Sequence, residues 1–131
     1  MTSSATVWNV LVMHPGSDLT ARLTKVLGQN GYAVTVVAEP LHEAHRIWAY
    51  EPHLIIASAA YTTTSGEPLA AWLHREVKVP VVALCSSGDT LGGVRMLEVG
   101  ADDYITPACG SREALARVGR LLRPKTKDGV R

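Results

Sequence analysis

The groups with which this chain could do chemistry are five histidines, two cysteines and a run of hydroxyls. His42 and His45 stand three residues apart, on one face if that segment is helical, and such a pair can begin a metal site. A structural site wants three or four ligands and no third lies near them in sequence, so a solvated helix face is expected and no metal. Cys85 or Ser58 could act as a nucleophile only beside a base, and His14 is the candidate. A lone thiol is otherwise a small buried hydrophobe. The run Thr62-Thr63-Thr64-Ser65 could cradle an anion, yet it also suits a plain polar loop. No assembled catalytic set is legible, and no enzyme activity or cofactor is expected.

Composition narrows the class. A chain of 131 residues with 47% apolar content supports one domain with a core. A formal net charge of +1 argues against direct nucleic-acid binding, which draws on a strong basic excess. No apolar run reaches the roughly 20 residues of a membrane span, and Met1 to Thr6 lacks the character of a signal peptide. Two cysteines are too few for a secreted disulfide scaffold. A cytoplasmic, non-membrane domain is the expectation.

The elements that must position these groups alternate between short apolar runs and helix-period segments, as in a parallel α/β sheet. Strands are expected at Val7 to Met13, Ala33 to Ala38, His53 to Ser58, Val79 to Cys85 and Asp103 to Thr106. Ser17 or Asp18 can cap a first helix whose apolar positions are Leu19, Leu23, Val26 and Leu27. Gly31 ends it. Pro40 can open a second helix with Leu41, Ala44, Ile47 and Trp48 as its buried stripe. Pro68 to Glu76 reads as a third.

Asp89 can cap a fourth, in which Gly92 and Gly93 each cost about 1 kcal/mol relative to alanine. Ser111 caps a fifth, with Leu115, Val118, Leu121 and Leu122 inward and Arg112, Arg117, Arg120 and Arg123 outward. Residues 1–123 form the domain, and 124–131 a polar tail or the start of a linker. Five such units give a doubly wound (βα)5 parallel sheet, strand order 2-1-3-4-5. In that architecture sites gather at the carboxyl ends of the strands. His14, Pro15, Ser58, Cys85, Ser86 and Pro107 occupy those ends.

The segment Gly100-Ala101-Asp102-Asp103-Tyr104-Ile105-Thr106 resembles the turn and last strand of response-regulator receiver domains, the CheY-like family. Val79-Pro80-Val81-Val82, Pro52 to Ser58 and Glu113 to Val118 extend the likeness from about Val10 to Arg123. Asp102-Asp103-Tyr104 and the arginine-rich last helix are most similar to the OmpR-type subclass, whose receivers precede a winged-helix DNA-binding domain.

The resemblance implies a phosphorylation site that these residues do not supply. His14 and Pro15 take the places of two Mg²⁺-binding acids. Ser58 replaces the phosphoacceptor aspartate, Cys85 the switch hydroxyl, and Pro107 the phosphate-pairing lysine. Mg²⁺ wants oxygen ligands that include carboxylates. The metal and the lysine would neutralise charge on a transferred phosphoryl group, and a serine hydroxyl cannot form an acyl phosphate. Receptivity to phosphate is therefore not expected. Without converging acids to repel one another, the domain is expected to hold one conformation.

The resemblance also implies a dimer face formed by the fourth and fifth helices with the fifth strand. Asp103 with Arg117 matches one intersubunit pair, and Glu113 is the acidic half of another whose basic partner is replaced by Gly93. Asp102 with Arg123 makes a third. Exposed pairs contribute about 0–1 kcal/mol each, so Leu91, Val94, Ala114 or Leu121 must add apolar contact. The function expected is a phosphorylation-independent receiver in two-component signalling, controlling transcription as a homodimer or by contacting a DNA-binding output domain in a longer product. The alternative is a metabolite sensor using the pocket lined by His14, Ser58, Cys85 and Ser86.

Overall fold

The computed structural model describes residues 7–14, 16–38, 44–85 and 90–122. Pro15, Pro40, Leu41, His42, Ser86, Asp89 and Arg123 lie outside them, as do the side chains of Ala44, His45 and Leu91. Five strands, β1 (Asn9–Met13), β2 (Ala33–Val37), β3 (Leu54–Ser58), β4 (Val81–Leu84) and β5 (Asp103–Ile105), form one sheet. All neighbours pair in parallel and the order is β2-β1-β3-β4-β5, as the sequence predicts. Among the described residues four α-helices join or follow them: α1 (Asp18–Gln29), α2 (Leu69–Glu76), α3 (Thr90–Glu98) and α4 (Ser111–Leu122).

The strands read as nearly continuous apolar runs because both faces are covered. Val10, Val12, Leu54, Ile56, Val82 and Leu84 pack against α1 and α4. Their neighbours Leu11, Met13, Ile55, Ala57, Val81 and Ala83 pack on the other face, with Ile47, Leu73 and Met96. That alternation is the two-residue period of a strand. Each fully buried aliphatic side chain is worth about 1.5–3 kcal/mol relative to exposure.

Local signals place most of the helix ends. The Ser17 hydroxyl accepts from the Thr20 N–H at 3.1 Å and caps α1. Gly31, at φ +92°, supplies the left-handed turn that returns the chain to β2. The cap of α4 differs by one residue from the expectation. The Gly110 carbonyl accepts from the Ala114 N–H at 2.9 Å, so Ser111 is already the first helical residue.

The second expected helix is a correction. Ala44–Tyr50 is a 3₁₀ helix, η1, and three residues per turn align i with i+3. Ile47 is buried and Tyr50 packs on the same core layer. Trp48, expected inside, is 52% exposed, because the tighter winding rotates it off the buried face. Its ring meets that of Trp72 on α2 edge-on, centroids 6.2 Å apart.

Candidate functional site

The register brings the expected strand-end residues to one edge of the sheet. Met13 aligns with Ala57, Ser58 with Leu84, and Leu84 with Ile105. His14, Ser58 and Cys85 therefore follow or end adjacent strands, and all three are buried. Pro107 is exposed in the turn after β5, which closes with Cys109 N–H donating to the Thr106 carbonyl at 2.9 Å.

His14 is engaged inside the chain. Its N–H donates to the Val37 carbonyl at 3.0 Å. Its Nδ1 lies 3.0 Å from the Gly16 N–H and 3.1 Å from the Thr20 hydroxyl. A backbone amide can only donate, so Nδ1 is the acceptor and the ring is the neutral Nε2–H tautomer. Burial lowers its pKa from the ordinary 6.5. An unfolded chain therefore takes up a proton at this residue before the folded one does. Stability contributed by neutral His14 is complete above about pH 6.5 and is lost as pH falls from there through the lower folded value. His14→Asn, which keeps an acceptor near the Nδ1 position, is expected to flatten this part of the stability curve in urea titrations between pH 5 and 8. An unchanged slope would remove His14 from the account.

Ser58 is equally occupied, its hydroxyl accepting from the Ala60 N–H at 3.2 Å. Burial pushes the Cys109 thiol pKa up, and the Glu113 charge adds to the rise, which is the wrong direction for a ready nucleophile. The Thr62–Ser65 segment closes on itself. Thr62 bridges Pro68, Thr63 N–H donates to Glu67 O at 2.7 Å, and the Thr63 and Ser65 hydroxyls lie 3.0 Å apart. Glu67 and Arg75 form a two-pronged ion pair beside it. Hydrogen bonding to Arg75 lowers the Glu67 pKa and keeps its carboxylate ionised.

The second candidate region lies beside β5, between α3 and α4. Asp103 is 7% exposed and accepts from Arg117, from Arg120 at 3.0 Å and from the Tyr104 N–H at 2.8 Å. Arg117 also donates to Glu113 at 2.8 Å, one helical turn away. Its guanidinium lies 5.8 Å from the Tyr104 ring centre. These contacts, the Glu113 hydrogen bond first, raise its pKa and fix it as a cation. Leu97, Asp102, Asp103, Glu113, Arg117 and Arg120 line an open hollow of about 520 Å³. Asp102 faces the other way as well. Its carboxylate accepts from the Val81 N–H at 2.8 Å and lies 3.6 Å from His74.

Comparison with known proteins agrees with this architecture. No family model matches the chain. It is 32% identical over 118 residues to the phosphate regulon transcriptional regulatory protein PhoB of Pseudomonas aeruginosa, covering 87% of this chain and 51% of that protein. The DNA-binding response regulator MtrA of Mycobacterium tuberculosis is 30% identical over 114 residues, with 87% and 50% covered. A response regulator from Desulfuromonas acetoxidans shares the fold, with a TM-score of 0.76 at 24% identity over 88% of this chain and 97% of that one. This chain has the fold of response-regulator receiver domains and is similar in sequence to these regulators. It spans about half the length of the two regulators it matches.

The described residues of the carboxyl edge do not fit the Mg²⁺ that the fold family implies. Among the described residues no three His, Cys, Asp or Glu side chains converge as metal ligands. His14 spends its Nδ1 on the chain's own donors and Ser58 offers a hydroxyl in place of a carboxylate. No helix among the described residues is long and apolar enough to cross a membrane.

On the α3–β5–α4 face, the apolar contributors differ from those expected. Ala114 is 3% exposed and belongs to the core, and Leu121 packs against it. Val94 stands in solvent as expected, joined by Leu97 one turn on, which the sequence reading missed. The i, i+3 spacing of Val94 and Leu97 was the available signal. Gly93, expected to weaken the helix and to stand in place of a basic interface residue, also has a packing role. A Cβ at this position would lie 2.4 Å from the Tyr104 ring, so glycine is what lets α3 settle onto β5.

Proposed function

We propose that this chain is a receiver domain that signals without phosphorylation, controlling transcription by association through the α3–β5–α4 face. Relatives that are transcriptional and DNA-binding regulators about twice its length support the setting. One observation carries the phosphorylation-independent reading: the strand-end groups, His14 and Ser58, are buried, uncharged and bonded to the chain's own backbone. A metal and a phosphoryl group would find neither carboxylates nor an ammonium among these positions. The same occupancy disfavours a metabolite in that corner.

The association half of the reading rests on the charged hollow and on Val94 and Leu97 beside it. Within one chain Arg117 already holds Asp103 and Glu113, so intersubunit pairing exchanges ion pairs instead of creating them. Charge then sets the geometry of the partner, and apolar contact drives the association. A partner output domain joined beyond residue 122 is the other surface this face could serve.

Mg²⁺ with beryllofluoride is the direct test. Backbone NMR shifts and the thermal midpoint are expected to stay unchanged on titration. A saturable shift at His14, Ser58 or Cys85 would refute the proposal.

A further inference from the structure

The two edges of the sheet are built differently. β5 is three residues long and carries Asp103 inward beneath two arginines. Short strands and inward charges are devices that discourage edge-to-edge pairing. β2 has neither. It runs five residues, Ala33–Val37, with no charge, proline or glycine. Val36 leaves 45% of its surface in solvent.

The ladder to β1 identifies the backbone groups of β2 that pair with no strand among the described residues. The Ala33 N–H donates to the Trp8 carbonyl and the Val37 carbonyl accepts from the His14 N–H, both at 3.0 Å. In a parallel pair a residue turns both its groups to the same side and its neighbours alternate. Ala33, Thr35 and Val37 therefore address β1. Val34 and Val36 turn their N–H and C=O groups outward.

We propose that β2 is a docking edge for a second copy of this chain, which adds its own β2 antiparallel about a two-fold axis at Thr35. That register is self-complementary. Val34 of each copy stands opposite Val36 of the other, and each such pair exchanges two N–H···O bonds. Thr35 faces its own equivalent, a favourable cross-strand pair. Opposed residues share a sheet face, so the exposed Val36 of one copy is covered by Val34 of the other. No like charges meet along the strands, and a net charge of +1 leaves little long-range repulsion between copies. β2 and β5 end opposite sides of the sheet, so this contact is independent of the α3–β5–α4 face.

Cysteine cross-linking tests it. Thr35 would face its equivalent across a non-hydrogen-bonded pair at a Cα separation of about 4.5 Å, inside the disulfide range of about 4.4–6.8 Å. Thr35→Cys is expected to form a covalent dimer under mild oxidation about ten-fold or more faster than Lys25→Cys, an exposed control on α1. The unaltered chain, whose two thiols are buried, serves as the blank. Adding Val36→Lys, an edge-blocking charge, should return the Thr35→Cys rate to the control. Equal rates at positions 35 and 25, or no effect of Val36→Lys, would overturn the proposal. Val94→Arg, at an exposed position of α3, should leave this cross-link intact, and a dimer through α3–β5–α4 alone would not join Thr35. Failure of either interface is thus seen separately.

Discussion

Gly93→Ala is expected to destabilise the domain, although alanine is the better helix former. The propensity gain is about 1 kcal/mol. Against it, a methyl 2.4 Å from two Tyr104 ring carbons and 2.7 Å from a third must push the ring or α3 aside. Overpacking of this kind costs about 1–3 kcal/mol, so the net loss reaches roughly 2 kcal/mol. The decisive measurement is a double-mutant cycle by urea unfolding. In a Tyr104→Ala background the obstacle is gone, and Gly93→Ala should become stabilising by about 1 kcal/mol. If alanine stabilises the unmodified chain, the contact between α3 and β5 is looser than the structure places it.

Asp103 carries the second large effect. Its carboxylate is 7% exposed and accepts from two guanidinium groups and one amide. Hydrogen bonds to charged groups are worth about 1.5–3 kcal/mol each. Both arginines reach water, however, with side chains 31% and 59% exposed, so screening discounts that figure. Asp103→Ala is expected to lower the unfolding free energy by about 1–3 kcal/mol. Asp103→Asn should lose less, since an amide oxygen can still accept from the Tyr104 N–H. Glu113→Ala, at the exposed end of the same network, should be nearly silent in stability. Equal losses for Asp103→Ala and Glu113→Ala would show that burial of Asp103 contributes nothing.

The same residue tests association. Chromatographic mass should reveal a dimer of the unmodified chain at high micromolar concentration, and Asp103→Arg should abolish the part of it that forms through α3–β5–α4. A monomeric mass unaffected by the substitution would remove that dimer.

Much of this molecule was readable from residue order alone. Strand positions follow from apolar runs that need both faces covered, and their parallel order follows from the helical segments between them. The alignment of His14, Ser58 and Cys85 at one edge is a consequence of that order. That His14, Ser58 and Pro107 supply neither a carboxylate nor an ammonium is a matter of residue identity that no fold could reverse.

What the tertiary structure decided are properties of approach and exposure, which depend on neighbours distant in the chain. The segment Ala44–Tyr50 has a helical look in sequence, and only packing against the sheet selects the tighter winding that turns Trp48 outward. Gly93 reads as a weak helix residue until Tyr104 from β5 arrives above it. Asp103 and Arg117 read as charges for another subunit. Folding places them close enough to pair within one chain. The local pattern determined which residues could meet; the distance and burial at which they meet arise from long-range packing that no short window of sequence contains.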